Sequence, residues 1–88
     1  MGIGGQVTLM AIVNFYAATR AATGINMKVI AGNTLGDVIA NAIVEFPQLA
    51  SIIPRCSYLV NENTSIDLAK VITDHDVIDV LPQFAGGA

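Results

Sequence analysis

One stretch of this chain repeats its apolar residues at helical spacing and is bracketed by a start and a stop. Leu35, Val38, Ile39, Ala42, Ile43 and Phe46 fall at i, i+3, i+4, i+7, i+8 and i+11, which puts them on one continuous helical face. Asn33-Thr34 opens the run. Thr34 and Asp37 have capping-box spacing, with Asp a weaker partner than Glu at the third position. Pro47 stops it. A helix with one apolar face must bury that face. The 88 residues make a single domain, so the rest of the chain must provide the covering surface.

The rest reads as strands. Residues 7–16 carry Val7, Leu9, Ala11, Val13 and Phe15 at odd positions, a period of two that fixes a buried face. Residues 17–24 read as a turn-containing connection, and 25–31 as the return arm of a hairpin. After the helix, 48–53 reads as an irregular or short helical link and 57–61 as a third strand. Asn61-Glu62-Asn63 is turn chemistry. Residues 65–71 hold a short fourth strand or an extended segment. Asp74-His75-Asp76 is a tight polar turn, and 77–81 is the last strand. Pro82 has no N–H to donate and is expected to stop further ladder pairing.

The order β-β-α-β-β-β predicts an α+β fold, with a mixed sheet of four to five strands covered on one face by one long helix. This is the ubiquitin-like β-grasp arrangement. The β-grasp domain is placed at residues 7–82, between a flexible N-terminal arm at 1–6 and a flexible C-terminal tail at 83–88.

Composition then says where to look for function. The chain is 53% hydrophobic and only 12% charged, against about 25% charged in an average protein. Apolar surface must therefore stay outside, which suggests a docking face. If the odd face of the first strand and Ile78 and Val80 of the last pack on the helix, the uncovered face carries Met10, Ile12, Tyr16, Val77 and Leu81, with Asp79 pointing to water. The alternative is a dimer contact or ordinary surface scatter.

The net charge is −3 and the four basic residues, Arg20, Lys28, Arg55 and Lys70, are scattered. Nucleic acid is not an expected partner. Nor is a membrane, since no apolar run reaches the roughly 18–20 residues of a spanning helix. The N-terminus lacks the basic and apolar regions of a signal peptide, and a cytoplasmic location is the default. No metal site is expected. Cys56 is the only cysteine, and it reads as incidental or buried, although Arg55 beside it could lower its pKa. His75 reads as a solvated turn residue, and Asp74, Asp76 and Asp79 as a solvated acidic edge.

The chain ends in Phe84-Ala85-Gly86-Gly87-Ala88. Two glycines add nothing to a core, but they make a thin tail able to enter a narrow channel. Three segments resemble the MoaD/ThiS sulfur-carrier family of β-grasp proteins. Val13-Asn14-Phe15-Tyr16-Ala17, with Arg20 and Gly24, looks like the family's first strand and loop. Tyr58-Leu59-Val60-Asn61 is similar to its central strand. Asp74-His75-Asp76-Val77-Ile78-Asp79-Val80-Leu81-Pro82-Gln83-Phe84-Ala85-Gly86-Gly87 is similar to its D-G-D-x-V-x-x-x-P-P-V-A-G-G ending, with His75 in place of the turn glycine and Gln83 in place of the second proline. Within the family the likeness is greatest to the small subunit of molybdopterin synthase.

The resemblance implies a carrier that is not an enzyme by itself and binds no cofactor stably. An adenylating enzyme related to ubiquitin-activating enzymes uses ATP to join AMP to the terminal glycine carboxylate, which is then converted to a thiocarboxylate. In molybdopterin synthase the large catalytic subunit accepts the tail. By this resemblance Gly87 bears the thiocarboxylate and Gly86 keeps the tail narrow. Phe84 and Ala85 contact the partner's channel, and Pro82 stiffens the exit from the sheet.

Sulfur delivery to thiamine, cysteine or tRNA thiolation, and a ubiquitin-like protein modifier, use the same activation and stay open. So does a plain interaction module that uses only the sheet face. The family's chains end at the second glycine, so Ala88 is a precursor residue removed by a protease, a residue appended in cloning, or the mark of a relative that no longer carries sulfur.

Overall fold

The computed structural model describes residues 9–83. Five strands, β1 (Met10–Phe15), β2 (Met27–Ala31), β3 (Cys56–Val60), β4 (Asn63–Ser65) and β5 (Val77–Pro82), form one sheet in the order β2-β1-β5-β3-β4. β1 and β5 lie parallel at the centre, and every other pairing is antiparallel. Two α-helices, α1 (Ala18–Thr23) and α2 (Leu35–Glu45), and two short 3-10 helices, Pro47–Ser51 and Ile53–Arg55, complete the fold. Of the strand expected at residues 7–16, Val7 and Thr8 lie outside the described residues, as do the arm at 1–6 and the tail from Phe84 onward.

α2 forms where its sequence places it. The Thr34 hydroxyl accepts from the Asp37 N–H at 3.1 Å, while the Asp37 carboxylate reaches the N–H of Asn33, at 3.4 Å. The cap is therefore reciprocal, although its return bond lands one residue before the N-cap. Leu35, Val38, Ile39 and Ala42 are buried, and Ile43 and Phe46 pack on the same core. Phe46 meets Phe15 edge-on, with ring centroids 5.9 Å apart, a favoured aromatic geometry. The remaining donors of the first helical turn go to the 66–72 segment: Leu35 N–H donates to Lys70 and Gly36 N–H to Leu68, at 2.9 and 2.8 Å. That segment thus satisfies groups a helix start otherwise leaves open, and its Ile72 is fully buried.

Three expectations need correction. First, residues 17–24, expected as a turn-containing connection, hold α1. Thr19 is completely buried, and its hydroxyl donates to the Tyr16 carbonyl at 2.7 Å while accepting from the Tyr16 N–H at 2.9 Å. Gly24 ends the helix at φ 77°, its N–H on the Arg20 carbonyl, the usual glycine role after a helix. Second, β4 starts at Asn63, earlier than the expected 65–71. Asn61 and Glu62 both have positive φ, 51° and 71°, and they form a two-residue hairpin loop closed by the Val60–Asn63 pair, the turn that matches strand twist. Third, Pro82 does not end the ladder. It pairs with Cys56, and the Gln83 N–H donates to the Arg55 carbonyl at 2.8 Å. The side of Pro82 that lacks a donor faces away from β3, past the end of β1, whose pairing stops at Phe15–Val80.

Candidate functional site

Side chains alternate across a sheet, so the register decides which of them share a face. Ala11, Val13, Phe15, Ile78 and Val80 are 0–1% exposed beneath α2, as the period-two reading requires. The opposite face gathers Met10, Ile12, Val77 and Leu81, all half-buried, and Tyr16 at 39% exposure. The structure therefore brings together all five residues expected there. It adds Val29 opposite Ile12, Met27 opposite Asn14, and Leu59 opposite Asp79. Met27 and Val29 are 50% and 43% exposed. Sequence reasoning missed these three because their place depends on strand partners. The one available signal was the alternation of Met27 and Val29 around Lys28.

The centre of this face is polar. Asn14 and Asp79 are register partners in the parallel pair, and the Asn14 Nδ2 donates to Asp79 Oδ1 at 2.9 Å. The Tyr16 hydroxyl is 3.5 Å from the same oxygen. A recess of about 420 Å³ opens here, lined by Asn14, Tyr16, Asn61, Glu62, Val77 and Asp79.

The root of the C-terminal segment lies on the β3 side. Besides its backbone bond to Arg55, Gln83 donates from Nε2 to the Ser57 hydroxyl at 3.1 Å. A second groove, also of about 420 Å³, lies beside Gln83 and includes Ile53, Pro54, Cys56, Tyr58, Ile66 and Leu68 in its walls. The expected tail positions Phe84, Ala85, Gly86 and Gly87, and Ala88 after them, lie outside the described residues.

Cys56 donates its thiol to the Ile52 carbonyl at 3.4 Å, and burial pushes its pKa up. Desolvation of the thiolate is the cause, and the lowering expected from Arg55 is not found. Burial, with the Cys56 charge adding to it, likewise pushes the Tyr58 hydroxyl up to about 12.

The acidic turn is used structurally. Asp74 Oδ1 accepts the Met10 N–H at 2.9 Å. Asp76 accepts the Thr73 N–H, the Thr73 hydroxyl and Asn61 Nδ2, and these bonds, led by the backbone one, hold its carboxyl below the usual range. His75 sits at φ 71° with its side chain 82% exposed, 3.4 Å from Asp74. It is the solvated turn residue expected, at a position where the family's glycine would be unstrained. No group of three metal-ligating residues occurs among the described residues, and no helix there is long and apolar enough to cross a membrane.

The described residues thus form a five-stranded β-grasp sheet with one uncovered face. The ThiS family model matches residues 13–87. The chain belongs to the ThiS family.

This ThiS-family chain also shares its fold with solved structures of ubiquitin-like proteins. It is similar to small archaeal modifier protein 1 from Methanosarcina acetivorans, at 22% identity and a TM-score of 0.84, covering 93% of this chain and 100% of that one. It is similar to a chain in the complex of subunits 1 and 2 of molybdopterin-converting factor from Helicobacter pylori, at 24% identity, a TM-score of 0.69 and coverage of 86% and 96%. A third likeness is to a chain of the BexX/CysO complex from Amycolatopsis orientalis, at 20% identity, a TM-score of 0.75 and coverage of 88% and 99%. The fold is the ubiquitin-like β-grasp.

Proposed function

We propose that this chain is a sulfur carrier whose working group is the carboxylate of Gly87. The observation that carries the reading is that the family match runs through the tail and ends at Gly87, one residue short of Ala88. Activation follows from carboxylate chemistry. A free carboxylate resists attack because it is anionic. An adenylating enzyme related to ubiquitin-activating enzymes would attach AMP from ATP with loss of pyrophosphate. A sulfur donor would then displace AMP and leave a thiocarboxylate. The chain supplies the substrate and not the catalysis; ATP is used by its partner, which places the work in the cytoplasm.

Each part has a role in this reading. Gly86 and Gly87 form a tail thin enough for an active-site channel. Phe84 and Ala85 contact its wall. Pro82 fixes the exit from the sheet. Met10, Ile12, Tyr16, Val77 and Leu81 form the surface on which the activating enzyme and the sulfur acceptor dock in turn.

The likeness to a chain of the two-subunit molybdopterin-converting factor supports a molybdopterin synthase-type complex as the destination, with a large catalytic subunit as acceptor. Thiamine, cysteine or tRNA thiolation are the other destinations. Gly87 can act only with a free carboxylate, so Ala88 must leave, by a processing protease, or be absent from the native chain.

A second reading, a protein modifier joined through Gly87 to lysines of other proteins, is favoured by the likeness to small archaeal modifier protein 1. Intact-mass measurement of the chain expressed in its native cell tests both. Loss of one alanine together with exchange of one oxygen for sulfur is the carrier result. Ladder bands that carry a branched glycine on lysine are the modifier result. Retention of Ala88 on all of the protein overturns both.

A further inference from the structure

The uncovered sheet face is largely apolar along β2, β1 and β5, and a carboxylate stands at its middle. Asp79 lies between Val77 and Leu81 along β5 and opposite Leu59 on β3, and its partner Asn14 lies next to Ile12 and opposite Met27. A partner that covered this face with apolar groups alone would strip water from an unpaired charge, which is strongly unfavourable.

Among the described residues the charge has no counterpart. All four basic side chains of the sequence, Arg20, Lys28, Arg55 and Lys70, belong to the described residues. Lys28 pairs with Glu45 at 2.8 Å, and among the described residues none pairs with Asp79. The contacts made to Asp79 are hydrogen bonds from Asn14 and Tyr16, and both fall on Oδ1.

The recess around it collects acceptors of several kinds. Asn14 and Asn61 contribute amides, Tyr16 an aromatic ring and a hydroxyl, and Glu62 a second carboxylate at the rim. We propose that the partner docking on this face inserts an arginine side chain into the recess, its guanidinium on Asp79 and its plane against Tyr16. The proposal deepens the docking-face reading above and rests on it.

Arginine fits better than lysine for a physical reason. Guanidinium offers five N–H donors in a plane, is weakly hydrated, and stacks on aromatic rings. An ammonium is a compact, strongly hydrated point charge that would leave the spread acceptors unmatched. Arginine is also enriched where interfaces are otherwise apolar.

The test uses the full chain in solution, observed by NMR, with N-acetylarginine amide as the probe. Its neutral isostere, N-acetylcitrulline amide, and N-acetyllysine amide are the controls. The expected result is a saturable shift in the millimolar range, confined to Asn14, Tyr16, Asp79 and their neighbours. The citrulline compound should bind about tenfold more weakly, as loss of a charged hydrogen bond implies. Asp79→Asn should remove the arginine response. Asn keeps the shape and can still accept from Asn14, and an unchanged spectrum elsewhere verifies the fold.

Equal response to citrulline, an arginine response retained in Asp79→Asn, or shifts spread over Asp37 and Asp67 as well would overturn the proposal. Equal response to lysine would overturn the choice of guanidinium. Concentration-dependent shifts of the same signals without any probe would hand the recess to a second copy of the chain and overturn it too. The titration reads the chain alone, so it stands even if Gly87 proves never to be adenylated; that failure would appear only in the mass measurement.

Discussion

Neighbouring residues of one strand meet two different surroundings in this protein. Val13, Ile78 and Val80 lie under α2 at no more than 1% exposure, while Ile12, Val77 and Leu81, each next to one of them in sequence, are only half-buried on the other side of the sheet. The two faces use similar apolar residues. They differ in their polar groups. Among the described residues the one buried polar residue is Thr19 in α1, with its hydroxyl satisfied by the Tyr16 backbone. On the open face the Asp79 carboxylate stands between Val77 and Leu81 of β5, bonded by Asn14. The covered face is finished by folding alone. In the proposed docking role the open face is finished by a partner.

The largest expected effect tests the covered face. Phe15→Ala removes the ring that meets Phe46 and should cost about 3–5 kcal/mol, as aromatic truncations in cores do. Urea denaturation measures it, and a loss below about 1 kcal/mol would erase the distinction between the faces.

An intermediate effect sits at the end of the sheet, where the β3–β4 loop meets β5. Asp76 has its folded-state pKa lowered, first by the Thr73 backbone N–H, so its contribution is complete above the unfolded carboxyl value near 4 and fades as pH falls through the lower folded one. Asp76→Asn should therefore lower the melting temperature at pH 7, and the gap to the unaltered protein should close in acid. Thermal unfolding followed from pH 7 down to about 2 checks the sign; a gap that widens in acid would contradict it.

The smallest effect on stability belongs to the open face. Met27→Ser and Val29→Ser should each change stability by no more than about 0.5 kcal/mol, as exposed positions usually do, yet weaken binding to the adenylating enzyme proposed as partner. Calorimetric binding beside thermal unfolding separates the two. A stability loss comparable with that of Phe15→Ala would show that the open face is a second core and not a docking surface.

Much of this was legible in the chain itself. α2 was bounded by Thr34 and Pro47 because capping and proline chemistry are local. The burial of Val13, Phe15, Ile78 and Val80 followed from alternation, which needs no knowledge of partners. The elements that escaped are those whose stability is not local. α1 is only six residues long, too short to hold by itself; it is fixed by a buried Thr19 and by Gly24. β4 is three residues long and exists because the Asn61-Glu62 loop turns the chain back onto β3. Pro82 looked like a stop because its missing donor is visible in the sequence, but the direction in which that donor would have pointed is not.

The same division holds for the candidate site. Met10, Ile12, Tyr16, Val77 and Leu81 could be assigned to one face from their own strands. Met27, Val29 and Leu59 joined them only through register, and the Asn14–Asp79 pair only because β1 and β5, more than sixty residues apart in the chain, lie side by side. The sequence by itself determined the helix, the alternation of the strands and a Gly86-Gly87 pair in the tail, since each is set by residues within a few positions of one another. Which strands adjoin, and so which apolar face stays open with a lone carboxylate at its centre, was decided only by the tertiary structure, because pairing between distant strands is set by how the whole chain packs over α2.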